Sequence, residues 1–261
     1  ISSNYLFSLL ASYYSSNSFV KRFHKIRNRV TGSLIVKGNK VEDVKAMQYM
    51  VSVQAQQSHR CGGFLVSANF VLTAARCSDH LDKVVLGSHN LDDSKKQKIG
   101  IEEQIKHPSY EEENNENNLM LLKVCKKKRK ERNTHFILTY FFVFLGDRCE
   151  IAGWGATDEK VRTHVKDLYA TKVSIIDRPR CMKEWPELPE NVICAVGNNG
   201  IRTFEQVNTG DRGGPLVCDN IAVGIASFNR IKEIEGPNVF IDISKYLEWI
   251  NQNMTKNNML K

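Results

Sequence analysis

Apolar residues along this chain come in short runs broken by polar turns, with little three-to-four spacing until the end. Met47–Gln54 and Cys61–Ala75 predict strands, the second split by a turn at Ser67-Ala68-Asn69. Val84–Leu86 and Ile99–Lys106 follow, and Leu119–Val124 (LMLLKV) is a short apolar run suited to a strand buried on both faces. Further strands are predicted at Glu150–Gly153, Val165–Ile175, Asn191–Ala195, Pro215–Cys218, Ala222–Phe228 and Pro237–Ile241. So many short strands with turn signals between them predict an all-β sandwich or barrel. The C-terminus departs from this texture. Ile243, Leu247, Ile250 and Met254 fall four, three and four residues apart, one apolar stripe on a helix, with Asp242 or Ser244 as its cap.

Two segments fit neither pattern. Residues 1–34 are rich in Ser, Tyr, Phe and basic residues and take no fold assignment; a propeptide and a gene-model artefact are both open. Tyr5–Ala11 lacks a basic stretch before it and makes a poor signal peptide. Residues 125–148 run from a basic block, KKKRKER, into FILTYFFVFL. That apolar run is too short to span a bilayer. It is β-prone, uncharged and free of proline, a hazard if exposed. Such a run is also what a translated polypyrimidine tract looks like, so 125–145 read as intron in protein form. The first lobe would then lack its last strand, leaving an open barrel edge.

Charge sharpens this division. The chain of 261 residues carries a formal +8. Residues 1–34 hold +5 and residues 126–132 another +5, which leaves a net −2 for the remainder. The basic character is therefore confined to the two odd segments. It suits an anionic glycan there and provides no nucleic-acid surface elsewhere. The seven cysteines form no CxxC pair and no His/Cys cluster with zinc spacing, so neither a metal nor another cofactor is expected. Scattered reduced cysteines in a cytosolic chain and three disulfides with one left over in a secreted chain both fit the count.

Three stretches carry chemistry. They are Cys61-Gly62-Gly63-Phe64-Leu65 running to Leu72-Thr73-Ala74-Ala75-Arg76-Cys77, then Ile151-Ala152-Gly153-Trp154-Gly155, then Gly210-Asp211-Arg212-Gly213-Gly214-Pro215-Leu216-Val217-Cys218. In this order they resemble the chymotrypsin-like serine proteases, most of all granzymes and mast-cell or granulocyte proteases. Ile35-Val36-Lys37-Gly38 resembles that family's mature N-terminus, and Pro237-Asn238-Val239-Phe240 with the closing helix completes the match. The resemblance covers Ile35–Val124 and Cys149–Met254. It implies two packed antiparallel six-stranded β-barrels and a C-terminal helix. One lobe would occupy about 35–124, a second about 149–242 and the helix 243–254. It also implies the disulfides Cys61–Cys77, Cys149–Cys218 and Cys181–Cys194, with Cys125 a free thiol or a spurious residue, and a secreted or secretory-granule protein.

The family's mechanism needs a hydroxyl nucleophile, an imidazole to take its proton, and a carboxylate to hold the imidazole in one tautomer. By resemblance the three positions here are Arg76, Asn118 and Arg212. Arginine stays protonated at ordinary pH and cannot act as the base. An Asp→Asn change alone costs about 10⁴ in kcat in this family. Arg212 offers no attacking oxygen. None of the histidines lies at a motif position.

Other positions follow the same resemblance. Gly210 and Arg212 would supply the oxyanion-hole N–H groups. Ile35 and Asp211 would form the N-terminal ion pair after cleavage behind Leu34. Gln206, Ser227, Phe228, Asn229 and Asn238 would line the specificity pocket, with an amide at 229 and 238 where glycines often keep it open. Three readings of function result. The leading one is a catalytically inactive, secreted homologue that binds a protein ligand or inhibitor, or an anionic glycan. The second is a granzyme-like serine endopeptidase. The third is the product of a decaying gene or faulty gene model.

Overall fold

The structure is a computed structural model that describes residues 38–125, 136, 138–155, 164–197, 210–228 and 237–259. Six strands form a first closed antiparallel barrel: β2 (Met50–Ala55), β3 (Ser58–Leu65), β4 (Phe70–Thr73), β5 (Lys83–Leu86), β6 (Gln97–Lys106) and β7 (Met120–Val124). Their order around the barrel is β2-β3-β4-β7-β6-β5, and pairing of β2 with β5 closes it. The second comprises β8 (Arg148–Gly153), β9 (Tyr169–Ile176), β10 (Val192–Gly197), β11 (Pro215–Cys218), β12 (Ile221–Phe228) and β13 (Asn238–Asp242). It runs β9-β10-β13-β12-β11-β8 and is closed by β8 pairing with β9. A two-residue strand, β1 (Asn39–Lys40), adds to β9. Closure leaves neither barrel with a raw edge.

The predicted strands reappear with small shifts. The first starts at Met50 rather than Met47, because Met47 takes φ 48° in a turn. The strand predicted from Val165 starts at Tyr169, since Leu168 and Asp167 are held by the Ser88–Leu91 loop: Leu168 N donates to His89 O and Asn90 Nδ2 to Asp167 Oδ1. β7 is buried along its whole length, as its apolar run requires. Helix α1 (Arg178–Glu184) was not anticipated. Asp177 caps it by accepting from Arg180 N, and a proline sits in its first turn. The C-terminal helix α2 (Leu247–Met259) follows a 3₁₀ turn at Ile243–Lys245, and Asp242 caps that turn through Ser244 N.

The expectation of an open first barrel fails. β7 is its last strand and pairs with both β4 and β6 without any help from 125–145. The described part of that segment packs by alternation. Phe136 is buried against Tyr49 and Phe64, and Phe141 and Val143 pack on the second core. Tyr140, Phe142, Phe144 and Leu145 point outward and are exposed. The basic block lies outside the described residues. Among the described residues no helix is long and apolar enough to cross a membrane.

The main apolar cluster draws on the first barrel and also on Ile225, Ile241, Tyr246, Leu247 and Ile250 of the second barrel and the closing helix. Three disulfides reinforce the frame: Cys61–Cys77, Cys149–Cys218 and Cys181–Cys194, with Cα separations of 6.2, 4.3 and 6.2 Å. These are the pairs the family resemblance implied. Cys125 is free and half-buried.

Candidate functional site

Arg76 sits on the 3₁₀ turn Ala75–Cys77 that ends β4, pinned by the Cys61–Cys77 bridge. Asn118 immediately precedes the buried run into β7 and is itself fully buried. Its Oδ1 accepts from the Arg76 backbone N at 2.9 Å, and its Nδ2 donates to Ser227 Oγ on β12 at 2.8 Å. One amide thus ties the first barrel to the second. A carboxylate could accept both bonds, while the amide must accept one and donate the other.

Arg212 lies in the Gly210–Gly214 turn before β11. Its carbonyl accepts from Gly62 N at 2.8 Å, and its Nε donates to Ser227 O at 3.0 Å. Arg76 and Arg212 therefore both attach to the Asn118–Ser227 axis. Arg76 reaches across to the β6–β7 loop, where Nη1 donates to Glu112 O at 2.7 Å and Nη2 stands 3.6 Å from Glu112 Oε1. Burial holds the Arg212 guanidinium below its ordinary pKa, the Arg76 charge adds to this, and Tyr110 opposes it. Among the described residues no carboxylate pairs with Arg212.

The turn around Arg212 is built on glycines. Asp211 is buried, and its Oδ1 accepts from Gly155 N at 2.7 Å. A Cβ at Gly153 or Gly155 would run into the Asp211 carboxylate, which is why Trp154 is flanked by glycine on both sides. Gly210 takes φ +99°, and a Cβ there would collide with the His59 ring.

His59 is the feature that motif reading passed over. It lies on β3, buried, with Nδ1 2.7 Å from Ser52 Oγ and Nε2 2.9 Å from Gly210 O. Because the carbonyl can only accept, Nε2 carries the proton and Ser52 donates to Nδ1. Burial lowers its pKa to about 3, His164 adds to the effect, and the Gly210 carbonyl partly offsets it. The signal in the sequence was slight: Ser52 stands between two valines on β2, while His59 is flanked by Ser58 and Arg60 at the start of β3. Only the hairpin register brings them together. The pair is a serine hydroxyl on an imidazole, but Ser52 is 0% exposed and His59 4%, so no peptide reaches it.

The expected pocket residues are only partly described. Ser227, Phe228 and Asn238 are all buried. The Phe228 ring packs edge-on against Trp185 with centroids 5.0 Å apart, and Asn238 Nδ2 donates to Ala195 O at 3.4 Å. Gln206, Asn229 and Ile35 lie outside the described residues, and with them the N-terminal partner expected for Asp211.

With this geometry in view, the chain can be set beside known proteins. The family model described as Trypsin matches residues 35–250. Chymase of Papio hamadryas is 34% identical over 210 residues, covering 77% of this chain and 81% of the chymase. Mast cell protease 2 of Meriones unguiculatus is 36% identical over 205 residues, covering 76% and 80%. Granzyme F of Mus musculus is 32% identical over 204 residues, covering 75% and 80%. Among solved structures, mouse neuropsin, a serine protease expressed in the limbic system of mouse brain, superposes with a TM-score of 0.76 at 28% identity. That match covers 83% of this chain and 98% of neuropsin. Two closed barrels, three bridges and a family match over residues 35–250 make this protein a member of the trypsin family of chymotrypsin-like serine proteases.

Proposed function

We propose that this chain is a non-catalytic member of the family, secreted, and acting by binding a protein ligand at its surface and former cleft. The observation that carries this reading is the Arg76–Asn118–Arg212 constellation. It holds two guanidiniums and an amide where acyl transfer needs an imidazole, a carboxylate and a hydroxyl. What remains is the frame around that centre, including the Gly210–Gly214 turn. Three disulfides suit an oxidising compartment.

A second reading, an active serine endopeptidase, draws on family membership and on the Ser52–His59 hydrogen bond. Burial of both residues argues against it. A general base with a pKa near 3 is also a poor proton acceptor for a serine hydroxyl at neutral pH. The test is labelling of the purified protein with a fluorophosphonate probe. No label is expected on the natural chain. The variant carrying Arg76→His, Asn118→Asp and Arg212→Ser together serves as comparison, and label on it is expected. Stoichiometric label on the natural chain, mapped to any serine, would sink the non-catalytic reading.

A further inference from the structure

Four of the six large apolar residues that are exposed among the described residues stand in one short run. Tyr140, Phe142, Phe144 and Leu145 are 70%, 74%, 68% and 70% exposed. The alternation that seats Phe141 and Val143 on the second core turns Tyr140, Phe142 and Phe144 the other way, so the three share one outward side. The run is held there rather than swinging freely. Phe144 N donates to Asp147 Oδ2 at 2.7 Å, Gly146 N to Ile175 O at 3.0 Å, and Ile175 N to Asp147 O at 3.0 Å. Gly146 takes φ +87°, which lets the chain turn out of the row and into β8. Three aromatics and a leucine exposed to this degree leave roughly 500 Å² of apolar surface, the size of the largest patch on a typical monomer, and a patch of that size marks a contact site.

We propose that the Tyr140–Leu145 row inserts into the surface of an anionic lipid bilayer, as a peripheral anchor that does not cross it. This goes beyond the non-catalytic reading and does not rest on it.

Charge decides what covers the row. In the sequence it follows KKKRKER at 126–132, which carries a net +5, while the chain outside that block and residues 1–34 carries a net −2. Beyond the turn, Arg148 and Lys172 are exposed and share one face of β8 and β9 by register, with Glu150 directly across from Lys172. Aromatic side chains next to a basic block have the composition of an interfacial anchor. The apolar groups enter the headgroup boundary, and each Lys or Arg near an anionic surface adds about 1 kcal/mol. A second copy fits less well. A two-fold contact through the row would join two chains that each carry +5 beside it in sequence. Roughly 500 Å² per partner also falls short of the about 800 Å² of a stable interface. A sulfated glycan would neutralise the block and leave the aromatic side chains in water.

The experiment is vesicle flotation of the full chain with two lipid compositions, phosphatidylcholine alone and phosphatidylcholine with about a third phosphatidylserine. The anionic vesicles should bind about tenfold or more tightly than the neutral ones. Phe142→Ser combined with Phe144→Ser should weaken that binding about tenfold. Lys126→Gln, Lys127→Gln and Lys128→Gln together should reduce the preference for anionic vesicles by about tenfold or more. Both phenylalanines are exposed, so the chain folds with serine in their place. Val44→Ser, at a residue 71% exposed outside the row, should change nothing. No binding to either vesicle, equal binding to both, or anionic binding unchanged by the phenylalanine variant would each overturn the proposal. So would an equal loss in Val44→Ser, a row-dependent dimer in sedimentation velocity without vesicle binding, or retention on heparin as the only interaction. Fluorophosphonate labelling bears on the non-catalytic reading alone, so the two failures are distinguishable.

Discussion

A buried histidine shows what one residue can do to the pH response of the whole fold. His59 is neutral in the folded state because its surroundings disfavour the imidazolium, and its pKa falls to about 3 from an ordinary 6.5. The unfolded chain takes up a proton on His59 near pH 6.5, and the folded chain does not until near pH 3. Over that window the unfolded state binds more protons, so stability falls as pH falls. The contribution is fully present above the unfolded pKa and drops by at most ~1.4 kcal/mol per pH unit below it. Urea unfolding at pH 7, 5.5 and 4.5 should show this decline. A His59→Gln variant, less stable at pH 7, should show a flatter one. An equal slope in both would assign the acid sensitivity to other groups. The same residue also explains a glycine: Gly210 is needed because the His59 ring lies where its Cβ would be.

At the level of elements, the site depends on turns that bring strands of different barrels together. The end of β8 and the turn before β11 meet at Asp211, with Gly155 donating its N–H and leaving room for the carboxylate. Gly155→Ala places a methyl group on that carboxylate. Forcing atoms into a filled site costs about 1–3 kcal/mol. The expected result is a loss of that size in denaturant unfolding. An unchanged stability would mean that Asp211 is free to move aside. The hydrophobic periods made most strands legible in advance, since period-two burial and short apolar runs are local features. Helix α1 was hidden because its seven residues, RPRCMKE, carry too few apolar positions to show a period, and its cap and bridge hold it instead.

Across the whole molecule the bridges differ in how much chain they close. Cys149–Cys218 spans 69 residues and ties β8 to β11, whereas Cys181–Cys194 spans 13. Loop-closure entropy predicts a loss of about 4 kcal/mol when the long bridge is removed and about 3 kcal/mol for the short one. Paired Cys→Ala variants compared by denaturant unfolding check the order. A larger loss at the short bridge would mean that native packing around α1 outweighs chain entropy. Both barrels share the main core with the closing helix, so loosening the second barrel should also loosen the Asn118–Ser227 link beneath the cleft.

Sequence alone determined the all-β architecture, the closing helix and the family resemblance with the bridges it implied. These are set by local periodicity and by motifs a few residues long, which need no partner to be read. Tertiary structure decided what those residues touch. Asn118 lies 42 positions from Arg76 and 109 from Ser227. His59 lies 151 from Gly210. No local pattern encodes such contacts. They exist because closing each barrel brings distant strands into register.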